Sequence, residues 1–433
     1  MRVHARRSML LSILFMGFGQ FYNRQLVKGL LFVSMEIYLI AFWTLPFRNA
    51  MWGLYTLGES VQTRVGFTIV PGDHSIFLMI EGIIFLICGL LFLWMYYLNI
   101  RDARRVGFAR DQGIAPNKFK KTLLVFSEKG FPYFLLMPSV VFTSFLTILP
   151  LIFGIAIAFT NYSAPNHIPP ASLVDWVGFQ TFIDLFNMKT WNRTFIGVFS
   201  WTFVWAILAT VTTFFTGMFF AVLLNSKGIR FQKFWRSIYI LPWAIPSFVS
   251  ILIMRNLFNG EFGPINQYLD FIGLAAVPWL SDPNWAKFTL VVVNIWFGFP
   301  FWMVLMSGVM TSIDRELYDA SQVDGANARQ QFRKITLPIV MFSTAPLLIM
   351  QFAGNFNNFN LIYLLTQGGP VNVNYSYAGS TDILISWIYK LTLDQSQFAM
   401  ASVVSILIFI ALAGISIWNF RRTRAFKEED TML

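Results

Sequence analysis

Two short polar clusters interrupt otherwise apolar sequence. One is Asn294-Ile295-Trp296-Phe297-Gly298-Phe299-Pro300-Phe301, and the other runs from Gln351 to Asn360. On helices, Asn294, Gly298 and Phe301 fall at i, i+4 and i+7. Gln351, Gly354, Asn355 and Asn358 fall at i, i+3, i+4 and i+7, so each set shares one face. An amide side chain both donates and accepts hydrogen bonds, as a sugar hydroxyl does. Aromatic rings pack on the apolar C–H faces of a sugar. Neither face carries a charged residue. The chemistry on offer is recognition of a neutral, hydroxyl-rich solute rather than of an ion or a charged amino acid. The competing reading is helix packing, since Asn and Gln join helices in membranes at about 0.6 kcal/mol each. The density of Asn355, Asn357, Asn358 and Asn360 on one helix favours recognition.

A third segment has the look of a docking element. Glu316 to Val323 holds helix-forming residues, and Gly325 is placed to end that helix in a left-handed cap. A second helical piece follows, with Phe332 and Ile335 three apart on one face, and Pro338 stops it. Ala320, Ser321, Gly325 and Ala326 are small enough to let another protein approach closely. Leu317 and Phe332, if exposed, fill pockets in such a partner. An amphipathic loop resting on its own membrane domain is the plainer alternative.

The elements that hold these clusters are membrane spans. The 433-residue chain is 56% hydrophobic and only 12% charged, against about 25% charged in soluble domains. Apolar runs near the roughly 20 residues a helix needs to cross a bilayer fall at Val27–Phe47, Ile76–Leu98, Phe134–Phe159, Phe195–Leu224, Phe234–Met254, Phe288–Val309, Ile339–Leu361 and Met400–Phe420. The expected fold is therefore an all-α membrane protein with about eight transmembrane helices. With both termini inside, 25 of the 32 basic residues fall on the cytoplasmic side, as the positive-inside bias requires. They include Arg2, Lys28, Arg101, Lys118, Lys120, Lys121, Lys129, Lys227, Arg329, Arg424 and Lys427; Arg255 and Lys390 are among the seven outside. This N-in, C-in arrangement puts residues 314–338 in the cytoplasm.

The net charge of +11 thus reads as retained loop cations and not as a nucleic-acid surface. Cys88 stands alone in an apolar run, and His4, His74 and His167 lack ligand spacing, so neither disulfide nor metal chemistry is expected. The apolar piece Met9–Met16 has no small-residue cleavage site after it and reads as interfacial or re-entrant. No Gly-x-x-x-x-Gly-Lys-Ser/Thr phosphate loop occurs. If ATP drives this protein, another chain hydrolyses it.

Asp319-Ala320-Ser321, Gly325 and Ile335-Thr336-Leu337-Pro338 resemble the EAA loop of type I ABC-importer permeases, with Asp319 in place of the family's Glu. Phe352–Pro370 and Asn294–Phe301 resemble the matching segments of the MalF-type maltose/maltodextrin permeases, and the likeness runs from about Phe131 onward. The resemblance implies a bacterial plasma- or inner-membrane transport subunit that is not an enzyme. It implies a second, MalG-like permease, two ATPase subunits that bind ATP and Mg, an external sugar-binding protein, and no cofactor in this chain. It implies substrate contacts at Asn294, Phe297, Gly298, Phe301, Gln351, Gly354, Asn355 and Asn358. It implies ATPase coupling at Asp319, Ala320, Ser321, Gly325, Ala326, Phe332, Ile335, Leu337 and Pro338. Gly354 stands where the family has a bulky aromatic, which predicts a wider pocket for longer or differently linked sugars.

The expected organisation is a region 1–130 with two spans and a basic loop, a permease core 131–424 with six spans, and a tail 425–433. Two other readings compete. An ion-coupled transporter needs an intramembrane carboxylate near the substrate helices, and Glu36 and Glu81 lie elsewhere. An enzyme acting on lipid-linked sugars needs a paired acidic constellation, and Asp314, Glu316, Asp319 and Asp324 read more simply as a solvated helical face.

Overall fold

A computed structural model describes residues 3–65, 67–117, 130–168, 172–226 and 228–422. Arg2, Lys118, Lys120, Lys121, Lys129, Lys227, Arg424, Lys427 and the tail 425–433 lie outside them. The described residues are helical throughout except for loops and one two-stranded hairpin, β1 (Thr63–Val65) with β2 (Thr68–Val70). Each of the eight apolar windows is largely helical, and among the described residues six helices are long and apolar enough to cross a membrane unbroken, or seven if one bent pair counts as a span, against about eight expected. A helix suits this solvent because it satisfies every backbone N–H and C=O within one segment.

The chain forms two compact units, Met1–Gly178 and Phe179–Leu433. The first contains α1 (Val3–Leu14), α2 (Phe18–Tyr22), α3 (Leu26–Thr56), α4 (Ser75–Asp111) and α5 (Phe131–Ile157), the last with a π-helical turn at Ser144–Ile148. Of the Met9–Met16 piece, Met9 to Leu14 form the second half of α1, which lies on the C-terminal half of α4 through small residues. Ser8 Oγ donates to the Ala103 carbonyl at 2.9 Å. A Cβ on Gly107 would lie 2.7 Å from the His4 carbonyl. The Asp111 carboxylate accepts the His4 and Ala5 N–H groups at 2.9 and 3.0 Å, closing the orphan amides of the first turn of α1.

This corner also explains one of the two carboxylates in the first spans. Glu36 accepts the Met16 N–H and so ties the turn after α1 to α3. Lys28 pairs with Asp102 at 2.7 Å. Glu81 is exposed. At the far end of α4, Asp73 accepts the Glu59 and Ser60 N–H groups, both at 2.9 Å, and these bonds hold its carboxyl below the usual range.

The second unit contains α6 (Gln180–Asn187), α7 (Lys189–Asn225), α8 (Gln232–Ile240), α9 (Ser247–Leu257), α10 (Pro264–Phe271), α11 (Pro283–Ser312), α12 (Arg315–Val323), α13 (Ala328–Gln331), α14 (Leu337–Phe356), α15 (Phe359–Thr366), α16 (Leu384–Tyr389) and α17 (Phe398–Arg422). Its spine is α7 against α11. Lipid tails are as apolar as Leu, so close van der Waals approach through small residues must hold such a pair. Gly217 lets α7 sit on Trp302 and Met303, and Gly298 lets α11 sit on Thr213. A Cβ on Gly298 would lie 2.5 Å from Thr213 Cγ2. Trp205, Leu290, Val293 and Ile362 form one core cluster; Phe214, Trp302, Met306 and Val340 form another.

Two expected spans are interrupted. Phe234–Met254 is not one helix: the chain turns by 89° between Gln232–Trp243 and Ser247–Leu257. Pro242 and Pro246 cause this, since each lacks an N–H and clashes with the preceding turn. Ile339–Leu361 is likewise not one helix. It stops at Phe356 and restarts at Phe359.

The segment after α15 is fixed by a buried ion pair. The Asp382 side chain is fully shielded and meets Lys390 Nζ at 2.6 Å. It also accepts the Gly379 N–H and the Ser386 hydroxyl.

Candidate functional site

The two helix breaks face each other across a cavity of about 610 Å³. The Pro242–Ser247 bend supplies one wall, including Trp243. Asn294 and Phe297 of α11 supply the second, and Asn358, Asn360 and Leu361 at the start of α15 supply the third. Among the described residues, no ionisable side chain lines it. The break at Asn357 has a local cause. Asn358 caps α15, its side-chain oxygen accepting the Leu361 N–H at 3.4 Å, and Asn favours caps over helix interiors because its side chain competes for backbone groups. The cap uses the oxygen and leaves the Asn358 NH₂ group for other partners. Phe297 offers a half-buried ring, and its carbonyl accepts Trp243 Nε1–H at 3.4 Å. Amide donors beside indole and phenyl rings can bind hydroxyls along an edge and C–H groups on a face.

The eight sequence-derived candidates separate here. Asn294, Phe297 and Asn358 line the cavity together, with Asn294 6% exposed and its Nδ2 also donating to the Ala209 carbonyl of α7 at 3.3 Å. Gly298 turns away, onto Thr213 of α7. Asn355 also faces α7: it is 3% exposed, donates to Thr210 Oγ1 at 3.0 Å, and its carbonyl accepts Trp205 Nε1–H. Phe301 packs with the Phe214–Trp302 cluster, its ring centroid 6.2 Å from that of Trp243. Gln351 is half-buried on α14, outside the cavity lining. Gly354 is exposed, and a Cβ there would meet nothing within 4 Å. The four residues from Gln351 to Asn358 therefore do not share one helical face, because the helix ends before Asn358. Trp243 and the Pro242–Ser247 wall escaped the sequence reading. The two prolines four residues apart inside one apolar window were the signal.

The docking segment is a stiff hairpin. Asp314 caps α12 by accepting the Glu316 N–H at 3.0 Å. Gly325, at φ +81°, ends that helix as expected, with Gly325 N–H on the Gln322 carbonyl and Ala326 N–H on the Ser321 carbonyl. This is the paired Schellman bonding of a glycine cap. Asn327 and Gln330 form a reciprocal capping box that starts α13. Gln331 Nε2 bonds Ser321 Oγ at 2.8 Å, and the Tyr318 hydroxyl meets Thr336 Oγ1 at 2.8 Å, so the two arms are cross-tied. Asp319, Ala320, Gly325 and Pro338 are exposed, while Ser321, Ala326 and Ile335 are half-buried. Phe332 is half-buried: with Leu337 it packs against the Phe214–Trp302 cluster. Val323, 89% exposed, and Leu317 are the apolar side chains this hairpin presents.

Comparison with known proteins places this architecture. The family described as "Binding-protein-dependent transport system inner membrane component" matches residues 213–425. The galactooligosaccharides transport system permease protein GanP of Bacillus subtilis (strain 168) is 43% identical over 98% of this chain and 99% of its own length. The maltodextrin transport system permease protein MdxF of the same organism is 40% identical, over 99% of this chain and 98% of its own. A bacterial ABC transporter that imports the acidic polysaccharide alginate shares the fold: TM-score 0.57 at 24% identity, covering 70% of this chain and 99% of that one. With whole-length relatives at this identity, the chain belongs to the family of binding-protein-dependent transport system inner membrane components.

Proposed function

We propose that this chain passes a neutral oligosaccharide across the inner membrane through the cavity between its two broken helices. It is a transport subunit, and ATP hydrolysis belongs to a separate subunit. The observation that carries the sugar reading is the lining: three asparagines with Phe297 and Trp243, and no charge. Discontinuous helices around a mid-membrane solute site are a recurrent transporter device. Asn294, Phe297 and Asn358 hold the sugar directly. Gly298, Phe301 and Asn355 set the helix positions, and Gln351 and Gly354 border the path. Two ATPase subunits, with their ATP and Mg, engage the 314–338 hairpin, and an external binding protein delivers the sugar. A second, homologous permease completes the pathway. ATP binding shifts the population of inward- and outward-facing states through that hairpin.

Maltodextrin is the favoured cargo, supported by MdxF and by the resemblance of Asn294–Phe301 and Phe352–Pro370 to MalF-type permeases. A galactooligosaccharide is the second reading, favoured by the 43% identity to GanP. Reconstitution of the assembled complex in proteoliposomes, with labelled maltodextrins and galactooligosaccharides in competition, decides between them. Uptake that persists without the ATPase subunits would refute the importer.

A further inference from the structure

A second polar cavity, of about 560 Å³, lies one helical turn from the first on both shared helices. On α9 the lining passes from Ile251 in the first cavity to Leu252, Arg255 and Asn256 in the second. On α15 it passes from Leu361 to Leu365 and Thr366. Four residues of helix advance about 6 Å, the scale of one monosaccharide unit in a chain. Leu280, which precedes the N-terminus of α11, closes the second cavity. The 314–338 hairpin follows the C-terminus of the same 30-residue helix. The second cavity therefore lies toward the end of the bundle remote from the hairpin.

The lining is chosen for hydroxyls. Arg255 is half-buried, and among the described residues its guanidinium forms no ion pair. Asn259 spends its side-chain oxygen on the Glu261 and Phe262 N–H groups at 2.9 and 2.8 Å, which leaves its NH₂ for another partner. Asn256 adds a full amide. A guanidinium offers five fixed donors and no acceptor, so its partners must be oxygen acceptors. We propose that this cavity is an outer glycosyl subsite: Arg255, Asn256 and Asn259 hold the third and following units of an oligosaccharide whose leading disaccharide occupies the Asn294–Asn358 cavity of about 610 Å³. The inference rests on the oligosaccharide reading and adds a chain-length rule to it.

The test uses the assembled transporter with its binding protein, in proteoliposomes, and Arg255→Gln with Asn256→Ala. Initial uptake is measured for a labelled disaccharide and for four- and five-unit homologues. The expected result is a KM raised roughly tenfold for the longer sugars, the loss of one or two hydrogen bonds to a charged donor, with the disaccharide unchanged. Equal loss at every length, or none at any, overturns the subsite. Affinity of the sugar-loaded binding protein for the transporter is measured in parallel. A loss that follows weaker docking at all lengths overturns it too, because Arg255 then serves a protein carboxylate. Wild-type transporter that moves no neutral oligosaccharide refutes the parent reading; wild-type uptake with no length-dependent loss refutes the subsite alone.

Discussion

Replacing Gly298 by Ala separates packing from recognition at the most ambiguous of the candidate positions. The new Cβ would sit 2.5 Å from Thr213 Cγ2 and 3.0 Å from Thr213 Cβ. Carbon atoms settle about 3.5–4.0 Å apart, so α7 and α11 must part by about 1–1.5 Å or distort. Overpacking of this kind costs about 1–3 kcal/mol, and at about 2–4 °C per kcal/mol for a body of this size the apparent Tm falls by roughly 2–12 °C. Thr213→Ser removes the methyl group that causes the worst overlap and keeps the hydroxyl that donates to the Ala209 carbonyl at 2.7 Å. The double variant, with only the 3.0 Å contact left, recovers more than half of the lost stability. A double-mutant cycle by thermal unfolding, with uptake measured on the same four proteins, reads this coupling. Gly298→Ala that unfolds like wild type, loses uptake and is not rescued by Thr213→Ser would mean that Gly298 touches sugar and that the packing argument is wrong.

The two asparagines that the sequence placed together should behave differently. Asn358→Ser keeps an oxygen for the cap and loses the NH₂ group, so it raises the KM for sugar with little change in unfolding, whereas Asn355→Ala lowers stability by about 0.6 to 1.7 kcal/mol, the range for buried interhelical bonds in membranes; uptake kinetics and thermal scans distinguish them. A Cβ at Gly354 meets nothing within 4 Å, so Gly354→Tyr can direct its ring away from the helix backbone, and it shifts preference toward shorter sugars, checked by competition among chain lengths with a thermal scan to verify folding. Lys390→Met strands the buried Asp382 charge and costs about 3–5 kcal/mol; adding Asp382→Asn restores much of the unfolding temperature. The Asp73 carboxyl, held low by two backbone N–H groups, stabilises its loop fully above the unfolded value of about 3.9. That contribution is lost as pH falls through the lower folded value, read as faster hydrogen exchange at the Glu59 and Ser60 amides.

What was legible in the sequence follows from which signals are local. Apolar length marked each of the six long apolar helices among the described residues, because burial in lipid demands a continuous run. Gly325 announced its own cap, since only its conformational freedom suits φ +81°. The 89° bend was written in Pro242 and Pro246, but hydropathy averages over proline and hid it. The direction of Gly298 and Asn355 was not legible. α11 and α14 are apolar nearly all round, so periodicity gives a shared face without saying which neighbour it meets. The break at Asn357 was masked for a related reason: Gln351, Gly354, Asn355 and Asn358 keep helical spacing in sequence although the helix stops. The surroundings of Phe332 were not legible, because a short amphipathic hairpin can present its apolar residues to a partner or to its own bundle. Packing against a cluster that includes Phe214 and Trp302, remote in sequence, half-buries it.

The cross-ties within residues 314–338 determine what kind of force that element can carry. A slack tether transmits tension only, and the return stroke must then come from elsewhere. Glycine cap, capping box, the Gln331–Ser321 bond and the Tyr318–Thr336 bond make this hairpin a strut, seated at its root by Phe332 and Leu337. A strut transmits compression as well as tension. If the proposed coupling role holds, one rigid connection drives the helices in both directions of the cycle, and stiffness, not grip alone, limits how much of each stroke arrives.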